Sequence, residues 1–149
     1  MAEKVEAQTL EIVVQYIKDL SFENLGFVSS LVSTNIQPQI DVQLKINIDK
    51  SKKNDEFFVE LVTKIDAKLD KPLFILELNY AGEFFIRGFS SEMMDPILYI
   101  ECPRLLFPFA RSIIAHAVSE GGFPPLYLAP VNFADLYQQQ LESKSQTMQ

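Results

Sequence analysis

At 149 residues the chain has the usual size of one domain and enough length to bury a core without disulfides or metals. Its net charge of -7, from 20 acidic against 13 basic side chains, opposes phosphate backbones and excludes nucleic acid as the expected partner. Apolar residues make up 48% of the chain, yet no run approaches the roughly 20 continuous apolar residues of a membrane-spanning helix, so membrane insertion is excluded as well. The start, MAEKVEAQTLEIVVQ, is acidic and lacks both the basic head and the unbroken apolar stretch of a secretory signal. A lone cysteine, Cys102, forms no internal bridge and suits a reducing compartment. The expected location is therefore cytoplasmic.

In chain order, LEIVVQYIKDLSFEN carries β-branched and aromatic residues at strand density and predicts a first strand. Leu25 to Gln39 looks like a long connection that crosses over to a meander. From Ile40 to Ile48 the sequence alternates strictly, with Ile40, Val42, Leu44, Ile46 and Ile48 on one face, which is a half-buried strand. After the polar turn DKSKKNDE, a second alternation runs from Phe57 to Leu69 and pairs back as a hairpin. Asp70, Lys71 and Pro72 mark another turn before LFILELNYAGEFFIRGF, the third strand of the meander. Beyond Phe89 the period becomes helical: Leu105, Leu106, Phe109, Ile113 and Ala117 recur at helix spacing, Pro103 fits a first turn, and Gly121-Gly122 stops the run. Pro108 is expected to kink this helix rather than break it. An irregular FPPLYLAP loop leads to a short last helix with Asn132 as cap and Phe133, Leu136, Tyr137, Gln140 and Leu141 on one face. The polar tail SKSQTMQ, 143–149, is expected to be disordered, which leaves one domain with a core of about 8–142.

Catalytic constellations are scarce. His116 and Cys102 are the only residues of their types, so neither a histidine-rich metal site nor a zinc cluster can form within one chain. On a continuous helix the two lie about 21 Å of rise apart, too far to hydrogen-bond. Gly121-Gly122 is followed by Phe-Pro-Pro, with neither the Lys-Ser/Thr of a phosphate loop nor the spacing of a dinucleotide fingerprint. The many carboxylates read as solvated strand faces, and an enzyme built on a carboxylate dyad has no nucleophile, metal set or cofactor loop to accompany it. No cofactor and no metal is expected. What stands out is apolar surplus: a four-stranded sheet offers two faces, and one long and one short helix do not cover both, which points to an interface or a binding groove.

Four segments together carry a resemblance. KDLSFEN (18–24), IQPQIDVQL (36–44), ECPRLLFPFAR (101–111) and GGFPPLYLAPVNFADLY (121–137) make the chain resemble the SecB protein-export chaperones over nearly its whole length, about Gln8 to Leu141. The resemblance implies an α+β subunit with a four-stranded antiparallel Greek-key sheet, both helices on one face, assembled as a dimer of dimers. The long helix from Pro103 to about Glu120 would then lie between dimers, giving Leu105, Phe109, Ile113 and Ala117 a quaternary role. It implies a surface groove for unfolded polypeptide with Ile40, Val42 and Leu44 as floor, Phe133, Tyr137 and Leu141 as wall and Ile36 as part of a lid. It also implies docking onto the SecA motor through Asp19, Glu23 and Glu77, the last being a charge inside the otherwise apolar run LFILELNY. Ile36 stands where many family members carry a tryptophan, and this chain has none. The implied function is that of a non-enzymatic, ATP-independent holdase that keeps precursors unfolded and passes them to SecA. A general or toxin–antitoxin-linked chaperone of the same fold, not serving export, is the alternative.

Overall fold

The computed structural model describes residues 7–26, 37–50 and 55–147. Its four strands are β1 (Thr9–Asn24), β2 (Gln39–Lys50), β3 (Glu56–Lys68) and β4 (Pro72–Arg87), ordered β1-β4-β3-β2 in one antiparallel sheet. Strands β2, β3 and β4 form the expected meander, and β1 lies against the free side of β4, so the chain crosses the sheet between β1 and β2 in Greek-key fashion. The alternation read in the sequence decides which face is buried. Val59, Leu61 and Ile65 of β3 and Leu76, Leu78 and Phe84 of β4 share the inner face and are fully buried, with Ile46 of β2 beside them.

Strand β1 alternates less cleanly for a reason the pairing makes plain. Register shifts between Ile12 and Val14 and between Ile17 and Asp19 insert Val13 and Lys18 as extra residues, and each insertion reverses the alternation that follows. Leu10, Ile12, Ile17, Leu20 and Phe22 thereby all pair with inner-face residues of β4.

The helical layer begins earlier than the periodicity predicts. Ser91–Pro96 is α-helical, Ile97–Glu101 is a π-helical turn and Cys102–Glu120 is α-helical, and the three run on as one helix, α1. Pro103 is thus an interior residue and not the first turn. The π turn explains how the helix tolerates it: the Cys102 N–H reaches back five residues to the Ile97 carbonyl, and the wider turn relieves the clash a proline ring makes with the preceding turn. Pro108 leaves the helix unbroken as well. Leu98, Cys102, Leu106, Ala110, Ile114 and Val118 form the stripe buried on the sheet. Gly82 of β4 lets that stripe approach, because a Cβ there would stand 3.0 Å from Leu106 Cδ2 and 2.7 Å from Phe84 Cε2. Helix α1 ends at the expected glycines: Gly122 adopts φ 97°, its N–H bonds to Ser119 O (3.1 Å) and that of Phe123 to Val118 O (3.2 Å), a Schellman closure.

The last helix, α2 (Phe133–Thr147), starts as predicted, with Asn132 Oδ1 accepting from the Asp135 N–H at 3.1 Å. It continues past Glu142 where a disordered tail was expected, since Phe133 to Thr147 contains neither glycine nor proline to stop it. Among the described residues no helix is long and apolar enough to cross a membrane.

Candidate polypeptide groove and docking surfaces

Among the described residues β2 is an edge strand, so its inner-face row has strand neighbours on one side only. Ile46 is buried, Ile40, Leu44 and Ile48 are half-buried, and Val42 is 38% exposed. Over the far end of this row stands the π turn, whose Tyr99 stacks on Tyr137 of α2 with ring centroids 5.3 Å apart. Between them and the strand lies a hollow of about 440 Å³ bounded by Lys45, Ile46, Asn47, Ile48, Tyr99, Gln140 and Ser143. At the near end Pro38 and Ile40 face Phe123, Pro124, Pro125 and Leu126 across a second hollow of about 240 Å³. Val42 and Leu44 fall between the two. The two hollows mark the ends of a part-open apolar row along β2, a trough that spans roughly 26 Å from Ile40 to Ile48 at strand rise.

Four of the predicted groove residues therefore lie along or above this trough, Ile40, Val42 and Leu44 on its floor and Tyr137 beside Tyr99, while Leu141 is exposed one turn further along α2 and lines neither hollow. Phe133 does not. It is 2% exposed and packs edge-on against Phe107 of α1 at 5.9 Å, so it anchors the start of α2 to the core instead of forming an accessible wall. Ile36 lies outside the described residues. Tyr99 and the Phe123–Leu126 turn were not foreseen; Tyr99 belongs to the helical segment that the prolines concealed.

The outward face of the sheet is mixed, and its β1–β4 end carries a cluster of carboxylates. Asp19 pairs opposite Asn79, Ser21 opposite Glu77 and Glu23 opposite Ile75, so Asp19, Glu23 and Glu77 are neighbours on β1 and β4, and all three are exposed. Glu77 thus points away from the core, as a charge within an apolar strand must unless it is paired. Further along, Glu60 of β3 is buried on this same face. Lys18, brought over by its bulge, and Asn47 of β2 both donate to its carboxylate. Burial pulls the Glu60 carboxyl up, but the hydrogen bonds from Lys18, Asn47 and Asn79 outweigh it and leave the group below its ordinary value.

Two apolar surfaces stay open. On α1, Phe109 is 47% exposed and stacks on Tyr80 at 6.3 Å; Leu105 is exposed, and Ile113 and Ala117 are half-buried, on the flank turned away from the core stripe. On β1, Val13 is 65% exposed, and Val14, Ile17 and Leu20 are exposed beside it. Cys102 is no nucleophile, because it is fully buried and burial, with a smaller contribution from Glu101, pushes its thiol up to about 12. Among the described residues no cluster of three metal-ligating side chains occurs.

Comparison with known proteins agrees with this geometry. The family described as preprotein translocase subunit SecB matches residues 3–144. A protein-export protein SecB of Xanthobacter autotrophicus is 46% identical over 144 residues, covering 96% of this chain and 92% of the relative. One from Rhodopseudomonas palustris is 44% identical over 147 residues, covering 97% and 91%. Among solved structures, a SecB-like chaperone of Mycobacterium tuberculosis in complex with an antitoxin peptide superposes with a TM-score of 0.67 at 12% identity, over 82% of this chain and 90% of that one. The last likeness supports the fold alone; the match over nearly the full chain to the family and to its curated members establishes that this protein belongs to the SecB protein-export chaperone family.

Proposed function

We propose that this export chaperone acts in the cytoplasm as an ATP-independent holdase, holding unfolded precursors along β2 and releasing them to the SecA motor. The observation that carries this reading is the inner row of β2. It is a run of aliphatic side chains on a free strand edge, left part-open beneath Tyr99 and Tyr137. Such a surface asks little of the ligand beyond apolar side chains and extended backbone, and several weak contacts along one chain add through effective concentration. Affinity then depends on the length of unfolded chain more than on any motif. Ile40, Val42, Leu44, Tyr137 and Leu141 contact the client in this reading, and Phe133 supports them from the core.

Asp19, Glu23 and Glu77 form the docking patch for SecA, where an acidic sheet face meets basic side chains of the motor. The open stripe of Leu105, Phe109, Ile113 and Ala117 on α1, with the bare edge of β1, supports assembly into a homotetramer, a dimer of dimers, since apolar area of this kind is normally covered in a stable protein. The toxin–antitoxin reading draws only on a fold neighbour at 12% identity, whereas relatives at 44 to 46% are export proteins.

The test is the refolding of a chemically unfolded, signal-bearing precursor with and without stoichiometric chaperone and without ATP. Arrest that Tyr137→Asp relieves is expected. Unchanged refolding of several precursors by correctly assembled protein would remove β2 as the client site.

A further inference from the structure

We propose that Arg111 is a positioning residue for client binding: it fixes the Phe123–Leu126 turn that forms one wall of the trough. The inference rests on the holdase reading above and adds to it a residue that does not itself line the trough. The turn belongs to a stretch with no regular secondary structure, from Phe123 to Asn132, so its place depends on what holds it from outside. At its start the hold is extensive. Phe123 is buried and packs with Phe74 (5.0 Å) and Phe22 (6.4 Å), and Asn24 Nδ2 donates to Gly121 O at 2.9 Å. At its far side Leu128 is buried in the core, and the polar part of the hold comes from Arg111: its Nε–H donates to Leu128 O at 2.7 Å, while the guanidinium lies 5.3 Å from the ring centre of Tyr127.

These two fastenings bracket Pro124, Pro125 and Leu126, the residues that face Pro38 and Ile40 across the smaller hollow. Prolines at 124 and 125 fix their own φ angles, so a short stretch clamped at both ends has little freedom left. Without the bond from Arg111 the backbone at Leu128 is held by its buried side chain alone, Leu126 gains room to shift, and the hollow loses part of its defined shape without any change to the floor. Lysine is a poor replacement, because a compact ammonium cannot both donate to the Leu128 carbonyl and lie near the Tyr127 ring as the extended guanidinium does.

The experiment measures binding of a fluorescently labelled, unfolded precursor to the assembled wild-type chain and to the Arg111→Met, Arg111→Lys, Leu126→Ala and Arg111→Met/Leu126→Ala variants. Native mass and amide hydrogen exchange are recorded for each. Arg111→Met is expected to weaken binding about fivefold to tenfold, at unchanged native mass, with faster exchange at Leu126 and Leu128 and unchanged exchange in β3 and β4; Arg111→Lys should fall between it and wild type. Because both substitutions act on the same wall, the double variant should be little weaker than Arg111→Met alone. Wild-type affinity in Arg111→Met, or effects of the two substitutions that multiply in full, would overturn the inference while leaving the holdase reading intact. A wild-type chain that fails to bind the precursor overturns the holdase reading, and this inference with it.

Discussion

The two edge strands of the sheet make an instructive pair. Strand β1 carries exposed apolar side chains on both of its faces, Val14 outward and Ile17 and Leu20 inward, with a bulged Val13 between, while its Phe22 end packs against Phe74 and Phe123. Strand β2 has its apolar residues on one face only, with the π turn and α2 over one end of that row and the Phe123–Leu126 turn over the other. An edge with open apolar side chains on both faces suits a rigid partner that covers it permanently. One that is roofed in part suits a flexible chain that must enter and leave. In the proposed function, the same backbone element with different cover would separate permanent association from transient capture.

Several substitutions can break or sharpen this contrast. Phe109→Asp sets a charge in the open α1 stripe next to β1; if further copies cover it, subunit affinity should fall ~100-fold or more, read by sedimentation velocity across a dilution series. An unchanged oligomer would mean that the stripe faces solvent. Gly121→Ala tests what holds the end of β1. Its Cβ would land 2.1 Å from Phe22 Cε1, disturbing the Phe22–Phe74–Phe123 cluster, and should lower stability in urea by about 1–3 kcal/mol. Val42→Asp belongs to the other edge. Loss of precursor affinity by about tenfold, with assembly intact, is expected; disassembly instead would put β2 into a subunit contact.

The smallest effect concerns the outward face that both edges share. The folded state holds Glu60 below its ordinary value of 4.5, so its contribution to stability is full above that value and is lost as pH falls through the lower folded one. Melting temperatures of wild type and Glu60→Gln should therefore converge as pH drops through the carboxylate range below 4.5 and separate above it. Parallel curves would show that the Lys18–Glu60–Asn47 contacts contribute nothing through charge.

Legibility in the sequence followed local rules. Strands β2, β3 and β4 could be read nearly to their ends, because strict alternation has one structural interpretation when one face is buried. The bulges of β1 could not, since an inserted residue leaves no mark beyond a broken alternation. Ser91 to Glu101 was hidden by Pro96 and by Pro103, which reads as a helix start and in fact follows a π turn. Along β2, alternation shows that Ile40, Val42 and Leu44 share a face. The burial of Phe133 is not legible, because a helical wheel groups it with Tyr137 and Leu141 without saying which end of that face is driven into the core. The Phe123–Leu126 wall needed the tertiary clamp from Arg111, a contact between residues 17 apart that no periodicity announces.

The burial of Cys102 bears on the condition in which a client departs. Unfolded precursors present reduced cysteines, and thiol–disulfide exchange proceeds through thiolates with access to a partner sulfur. The chain's lone thiol is out of contact with solvent and, at about 12, stays protonated at neutral pH. A bound precursor therefore meets no reactive sulfur on this subunit, and its cysteines leave in the oxidation state in which they arrived. Ellman's reagent should report this directly, reacting with Cys102 only as fast as the subunit unfolds.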